Sequence, residues 1–116
     1  MENIFEKELA HIFEFKNIDN KFWGIKVPVK NVLGIQTIYV KKLEDNFFRI
    51  HDGGETIPLV AQSQNVFTDE FENKLIEKCK EKSISKNGNI LYIDCSKEDF
   101  THAFLSMFAL ITLLHA

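Results

Sequence analysis

The sequence is poor in the residues that would mark a site. It has two cysteines, Cys79 and Cys95, without the C-x-x-C spacing of zinc ribbons or thioredoxin-like redox centres. Its four histidines have no metal-ligand spacing; His11 has Phe15 at i+4, where a helical metal site needs a second ligand. Gly53-Gly54 lacks the G-x-G-x-x-G pattern and a following Lys, so no phosphate-cradling loop is present. Lys and Arg are interspersed with acids at a net charge of −3. That argues against nucleic acid as a partner, which needs clustered cations, and is too mild for a DNA-mimic surface. The segment Met1–Ala10 is charged and polar, without an apolar run, so a signal peptide is not expected and the chain reads as cytoplasmic. Two cysteines in a reducing compartment are then buried small hydrophobes, not a disulfide.

Charge is also missing from the C-terminal stretch. From Phe100 to Ala116 there is no Asp, Glu, Lys or Arg. Phe100, Ala103, Phe104, Met107, Phe108, Ile111 and Leu114 fall on one helical stripe, and Leu105, Ala109, Leu110 and Leu113 fill much of the rest. Ser96 and Asp99 form an S-x-x-D capping box, which places the helix start at Ser96. The stretch is shorter than the roughly 20 residues of a membrane span and carries Thr101, His102, Ser106, Thr112 and His115. A buried soluble-core helix is the expected outcome, and no membrane partner.

What is abundant is phenylalanine, eleven in 116 residues, enough for a hydrophobic core in a single domain spanning 1–116. Since the sequence ends within an apolar helix, a downstream domain is an open expectation. Phe5, Leu9, Ile12 and Phe13 predict a helix over Glu2–Phe15, followed by a polar turn at Asn17–Lys21. Phe22–Val29 predicts a strand with Trp23, Ile25, Val27 and Val29 on one face, and Pro28 marking an edge or an end. Gly34–Leu43 and Phe47–His51 predict two more strands joined by Glu44-Asp45-Asn46. Pro58 suits a short helix running to about Gln64. Thr68 is placed to cap a helix with Asp69, Glu70 and Glu72 in its first turn and Lys78, Lys80 and Lys82 near its end. Asn87-Gly88 signals a type I′ hairpin between Ser83–Lys86 and Asn89–Cys95. Hairpins join most strands, so the plan is α+β: a mainly antiparallel sheet of about five strands, helices on one face and a long apolar C-terminal helix.

The segment Phe48-Arg49-Ile50-His51-Asp52-Gly53-Gly54-Glu55-Thr56-Ile57 resembles the bacterial and phage family known as domain of unknown function 1828. That family shows a strand, a turn of the form D-D-G-x-T, and an aliphatic residue opening a helix. Thr37–Val40, Asn87-Gly88, Ile90–Ile93 and Phe100–Leu114 fit its remaining pattern. The resemblance spans roughly Gly24 to the end and implies a prophage or mobile-element origin, without an activity. Where the family usually has a second Asp, this chain has Gly53, so an Asp pair is not available.

The D-G-G-E-T turn is the best candidate site. His51, Asp52, Gly54, Glu55 and Thr56 form a candidate binding group, and His51, Asp52 and Glu55 are a set that could hold a cation or accept a proton. The competing structural reading has Asp52 bonding the turn backbone and Thr56 capping the next helix, and it is favoured. The only E-x-K, Glu72-Asn73-Lys74, sits in a predicted helix, where residues two apart diverge. Cys95 precedes a helix N-terminus, which lowers a thiol pKa, whereas burial raises it. No catalytic residue, metal or cofactor is assigned. Two functions follow. The favoured one is a non-enzymatic protein-binding module, a phage or mobile-element regulator or inhibitor of a host defence system. The alternative is a small metal-dependent hydrolase or nuclease using the His51-Asp52-Glu55 turn. Leu105, Leu110 and Leu113 are expected to project outward as an interface, a protein partner or a homodimer covering them.

Overall fold

Alternating apolar residues dictate a sheet with one buried face, and the computed structural model has one. It describes residues 14–19, 22–31, 34–64 and 69–115, with side chains for 22–30, 34–62 and 69–115. The strands are β1 (Glu14–Asp19), β2 (Phe22–Asn31), β3 (Gly34–Glu44), β4 (Phe47–His51), β5 (Ser85–Asn87) and β6 (Ile90–Ser96). The helices are α1 (Thr56–Gln64), α2 (Asp69–Glu81) and α3 (Phe100–His115). All neighbouring strands pair antiparallel, in the order β1-β2-β3-β4-β6-β5. The expected α+β plan holds, with six strands instead of about five.

The extra strand corrects the sequence reading. Glu14 and Phe15 belong to the expected helix and Asn17–Lys21 to the expected turn, yet Glu14–Asp19 pairs with β2 through Phe15↔Ile25 and Asn17↔Trp23. Long-range ladder bonds override a weak local helical preference. The rest of the expected N-terminal helix, and Thr68, lie outside the described residues.

β2 buries Trp23, Ile25, Val27 and Val29, as its alternation requires, while Lys26, Pro28 and Lys30 stay exposed. Pro28 marks neither an edge nor an end. It lies inside β2, where the β2–β3 register shifts between Lys26 and Lys30, so its missing N–H breaks no regular ladder there. β3 adds Ile38 and Val40 to the buried face, β4 adds Phe48 and Ile50, and β6 adds Leu91 and Cys95.

α3 lies across this face, packing on β2, β4, β6 and α1. It buries Phe100, Ala103, Phe104, Met107, Leu110 and Ile111. Phe100 stacks edge-on with Phe48 and near-parallel with Phe104. Leu110 is fully buried, which corrects its assignment to an outward patch: it shares the face of Met107 and Ile111. Leu105 and Leu113 do project outward, at 43% and 46% exposure. The helix begins at Phe100 and not at Ser96, which ends β6. Asp99 is the N-cap residue, its carbonyl accepting the Ala103 N–H at 2.9 Å, while the Ser96 hydroxyl donates to Asp99 Oδ2. No described helix is long and apolar enough to cross a membrane.

The Ser83–Lys86 strand starts later than expected because Ser83 and Ile84 close α2. The Ile84 N–H donates to the Cys79 carbonyl and the Ser83 N–H to the Lys80 carbonyl, a Schellman pair with Ser83 at φ +56°. The following hairpin is shifted by one residue. Asn87 pairs with Ile90, so the loop is Gly88-Asn89. Only Gly88 has positive φ, which is the φ pattern of type II′ and not I′.

Candidate functional site

The D-G-G-E-T turn is built from Asp52, which leaves the end of β4 fully buried. A buried carboxylate must be satisfied. Its Oδ1 accepts the Gly54 N–H at 2.9 Å and the Leu91 N–H at 3.0 Å, and its Oδ2 accepts the Thr56 N–H at 3.1 Å. The Asp52 N–H in turn donates to the Leu91 carbonyl. One side chain therefore holds the turn, the start of α1 and the neighbouring strand β6. The favoured structural reading of Asp52 agrees with this geometry. Thr56 does not cap α1. It is the first helical residue, and Glu55 supplies the N-cap carbonyl to the Leu59 N–H. The Thr56 hydroxyl is buried.

Gly53 and Gly54 have φ of +70° and +74°, which the turn needs and other residues resist. A Cβ on Gly53 would sit 2.7 Å from Tyr39 Cε2, so the ring and the glycine are mutually fitted. Glu55 accepts a hydrogen bond from the Tyr39 hydroxyl at 3.4 Å. His51 accepts the Gly53 N–H on Nδ1 at 3.0 Å, which fixes the neutral Nε2–H tautomer. Burial lowers the His51 pKa, the Arg49 and Lys41 charges add to this, and Asp52 opposes it. Burial foremost, then Glu55, raises the Tyr39 pKa. The turn thus brings His51, Asp52 and Glu55 close in sequence but gives each a separate structural partner. Among the described residues no group of three or more His, Cys, Asp or Glu is arranged to hold a metal ion. Cys95 is a poor nucleophile: burial, helped by Asp99 and Asp94, pushes its thiol up to about 11. Cys79 is free and buried too, beside a shallow hollow of roughly 320 Å³ lined by Ile76, Lys80, Ile84 and Lys86.

The sheet's second face carries a denser group of side chains. Its rows follow the register: Phe22, Lys41, Arg49 and Asp94 in one, Gly24, Tyr39, His51 and Tyr92 in the next. Tyr39 and His51 stack at 5.3 Å and 20°, and Phe22 leans on both at 5.7 and 5.9 Å. Arg49 forms a two-point ion pair with Asp94 at 2.7 and 2.9 Å and lies 4.4 Å over the Tyr92 ring. Asp94 raises the Arg49 pKa further. Ile35, Phe47 and Ile90 stand around this group at 58%, 49% and 43% exposure. Among the described elements all three helices follow from β4 onward and α3 covers only the opposite face. Sequence reasoning singled out His51 here and missed Phe22, Tyr39, Arg49 and Tyr92. The available signal was strand alternation, since each lies on the polar-side period of its strand.

The sequence profile of the family described as Domain of unknown function DUF1828 matches residues 35–113. The chain belongs to that family. In this DUF1828 chain the match runs from β3 through nearly all of α3, so it takes in the D-G-G-E-T turn and most of the open sheet face. No curated protein and no solved structure matches.

Proposed function

We propose that this DUF1828 domain is a non-enzymatic protein-binding module, of phage or mobile-element origin and acting on a host system as a regulator or inhibitor. The observation that supports it is the sheet face left free of the described helices. Tyr, Arg, His and Phe are concentrated there with apolar neighbours at half exposure, the composition of protein interface centres. The origin rests on the family resemblance alone.

The rival hydrolase reading has less support, because the Asp52 carboxylate is occupied by three backbone N–H groups. A helix-mediated homodimer has less as well, since Leu110 lies in the core and only Leu105 and Leu113 remain outside. The testing experiment is affinity capture from a bacterial host with the wild type and Phe47→Asp in parallel. One partner retained by the wild type and lost by the variant supports this face. A partner retained equally by both removes it. A melting-temperature rise with divalent metal would instead favour the hydrolase.

A further inference from the structure

Two dipeptides in the sequence, Asp52-Gly53 and Asn87-Gly88, put a carboxyl or amide side chain before a glycine. In such a pair the glycine nitrogen can attack the preceding side-chain carbonyl carbon and close a five-membered imide, since no Cβ shields its N–H. The fold treats the two pairs oppositely. Asp52 is fully buried and its carboxylate accepts the Gly54, Thr56 and Leu91 N–H groups. The Gly53 N–H is taken by His51 Nδ1. Electrophile and nucleophile are both occupied there.

Asn87 and Gly88 are exposed. Among the described residues nothing accepts the Gly88 N–H. The space where a Gly88 Cβ would stand is empty to 4 Å. β5 has three residues and ends the sheet, so the pairing of Asn87 with Ile90 is the last rung of an edge hairpin. Such rungs open locally at little cost. Every other asparagine precedes a residue with a side chain; Asn89, in the same loop, precedes β-branched Ile90.

We propose that Asn87 is a self-modification site, converting to aspartate and isoaspartate through a succinimide closed by the Gly88 nitrogen. The Gly88 N–H gives its proton to solvent base, its nitrogen bonds Asn87 Cγ, and the Cγ–Nδ2 bond breaks with release of ammonia. Water then opens the imide. Attack at Cγ leaves an aspartate in a normal backbone. Attack at the α-carbonyl leaves isoaspartate, whose main chain is one methylene longer and cannot keep the Asn87–Ile90 rung. That hairpin lies against the D-G-G-E-T turn. Ile90 Cγ1 and the Asn89 carbonyl oxygen are 3.4 and 3.9 Å from the Cβ position of Gly54, and the Leu91 N–H is held by Asp52. Loss of the rung therefore loosens the strand end on which the turn is anchored.

Ageing the folded protein in warm, mildly alkaline buffer and mapping its peptides by mass spectrometry tests this. The peptide carrying Asn87 should gain about one dalton before any other asparagine peptide does, and an isoaspartyl methyltransferase should label it. The aged protein should melt below the fresh one. Asn87→Gln, whose longer side chain closes a six-membered ring only slowly, should lose the mass gain, the label and the fall in melting temperature; an unchanged circular-dichroism melt of the fresh variant verifies its fold. An Asn87 amide that survives while another asparagine reacts, a label that persists in Asn87→Gln, or isoaspartate arising first at Asp52 would overturn the proposal.

Discussion

At the scale of single residues, Asp52 decides how the candidate site is understood. A local turn hydrogen bond contributes about 1 kcal/mol, but three bonds to one carboxylate, two of them from buried N–H groups, contribute more. Asp52→Ala should therefore cost about 3 kcal/mol in urea unfolding, because it leaves the Leu91 and Thr56 N–H groups unpaired. A loss below about 1 kcal/mol would show that the turn holds without the carboxylate. The sequence showed that Asp52 was a turn residue, since Asp before two glycines has few other uses. It did not show the bond to Leu91, because a contact 39 residues away leaves no local pattern. His51 gives a pH prediction. Its folded-state pKa lies below the ordinary value, so the neutral form is the one the fold favours. That contribution is present above the unfolded pKa of about 6.5 and is lost as pH falls through the lower, folded value. Stability measured down a pH series should thus drop more in the wild type than in His51→Phe over that acid window. Equal slopes would mean that burial of the imidazole does not discriminate between its protonation states.

At the scale of elements, the strands and helices with strong periodicity were legible and their ends were not. β4 runs from Phe47 to His51 as its alternation required, and the uncharged C-terminal stretch forms α3. β1 was hidden because a short polar strand acquires its identity only from pairing with β2. The Asn87-Gly88 signal located the hairpin but not its register, which the pairing of Asn87 with Ile90 sets. Two element-level outcomes follow. Ser83 holds the left-handed C′ position of α2, where a Cβ costs roughly 1 kcal/mol, so Ser83→Gly should raise stability by about that amount. A destabilised variant would show that the hydroxyl has a role there. Leu110→Ala should cost about 3 kcal/mol through lost burial and a cavity, whereas Leu105→Ala should stay within about 0.5 kcal/mol. Similar small losses at both positions would return Leu110 to the surface reading.

At the scale of the whole molecule, strand register decides which charges meet on the sheet face that the described helices leave open: Lys41 stands across from Arg49, and Glu14 across from Lys26. Net charge, read from the sequence, averages over these pairings and conceals them; register places Lys26 beside Glu14, Arg49 beside Asp94, and Lys41 beside Arg49. If that arrangement serves only the fold, Lys41 is a poor choice, because it opposes Arg49 across the ladder. Lys41→Glu replaces a like-charge pair by an attractive one, and cross-strand pairs differ by roughly 0.2–1 kcal/mol. Both groups are exposed enough for solvent to screen the effect, so the gain should be a few tenths of a kcal/mol. Denaturant titrations at low and high salt provide the measurement. The variant should be the more stable at low salt, and the difference should shrink as screening grows. A variant that is less stable than the wild type at low salt would show that Lys41 is compensated within the fold by a neighbour other than Arg49.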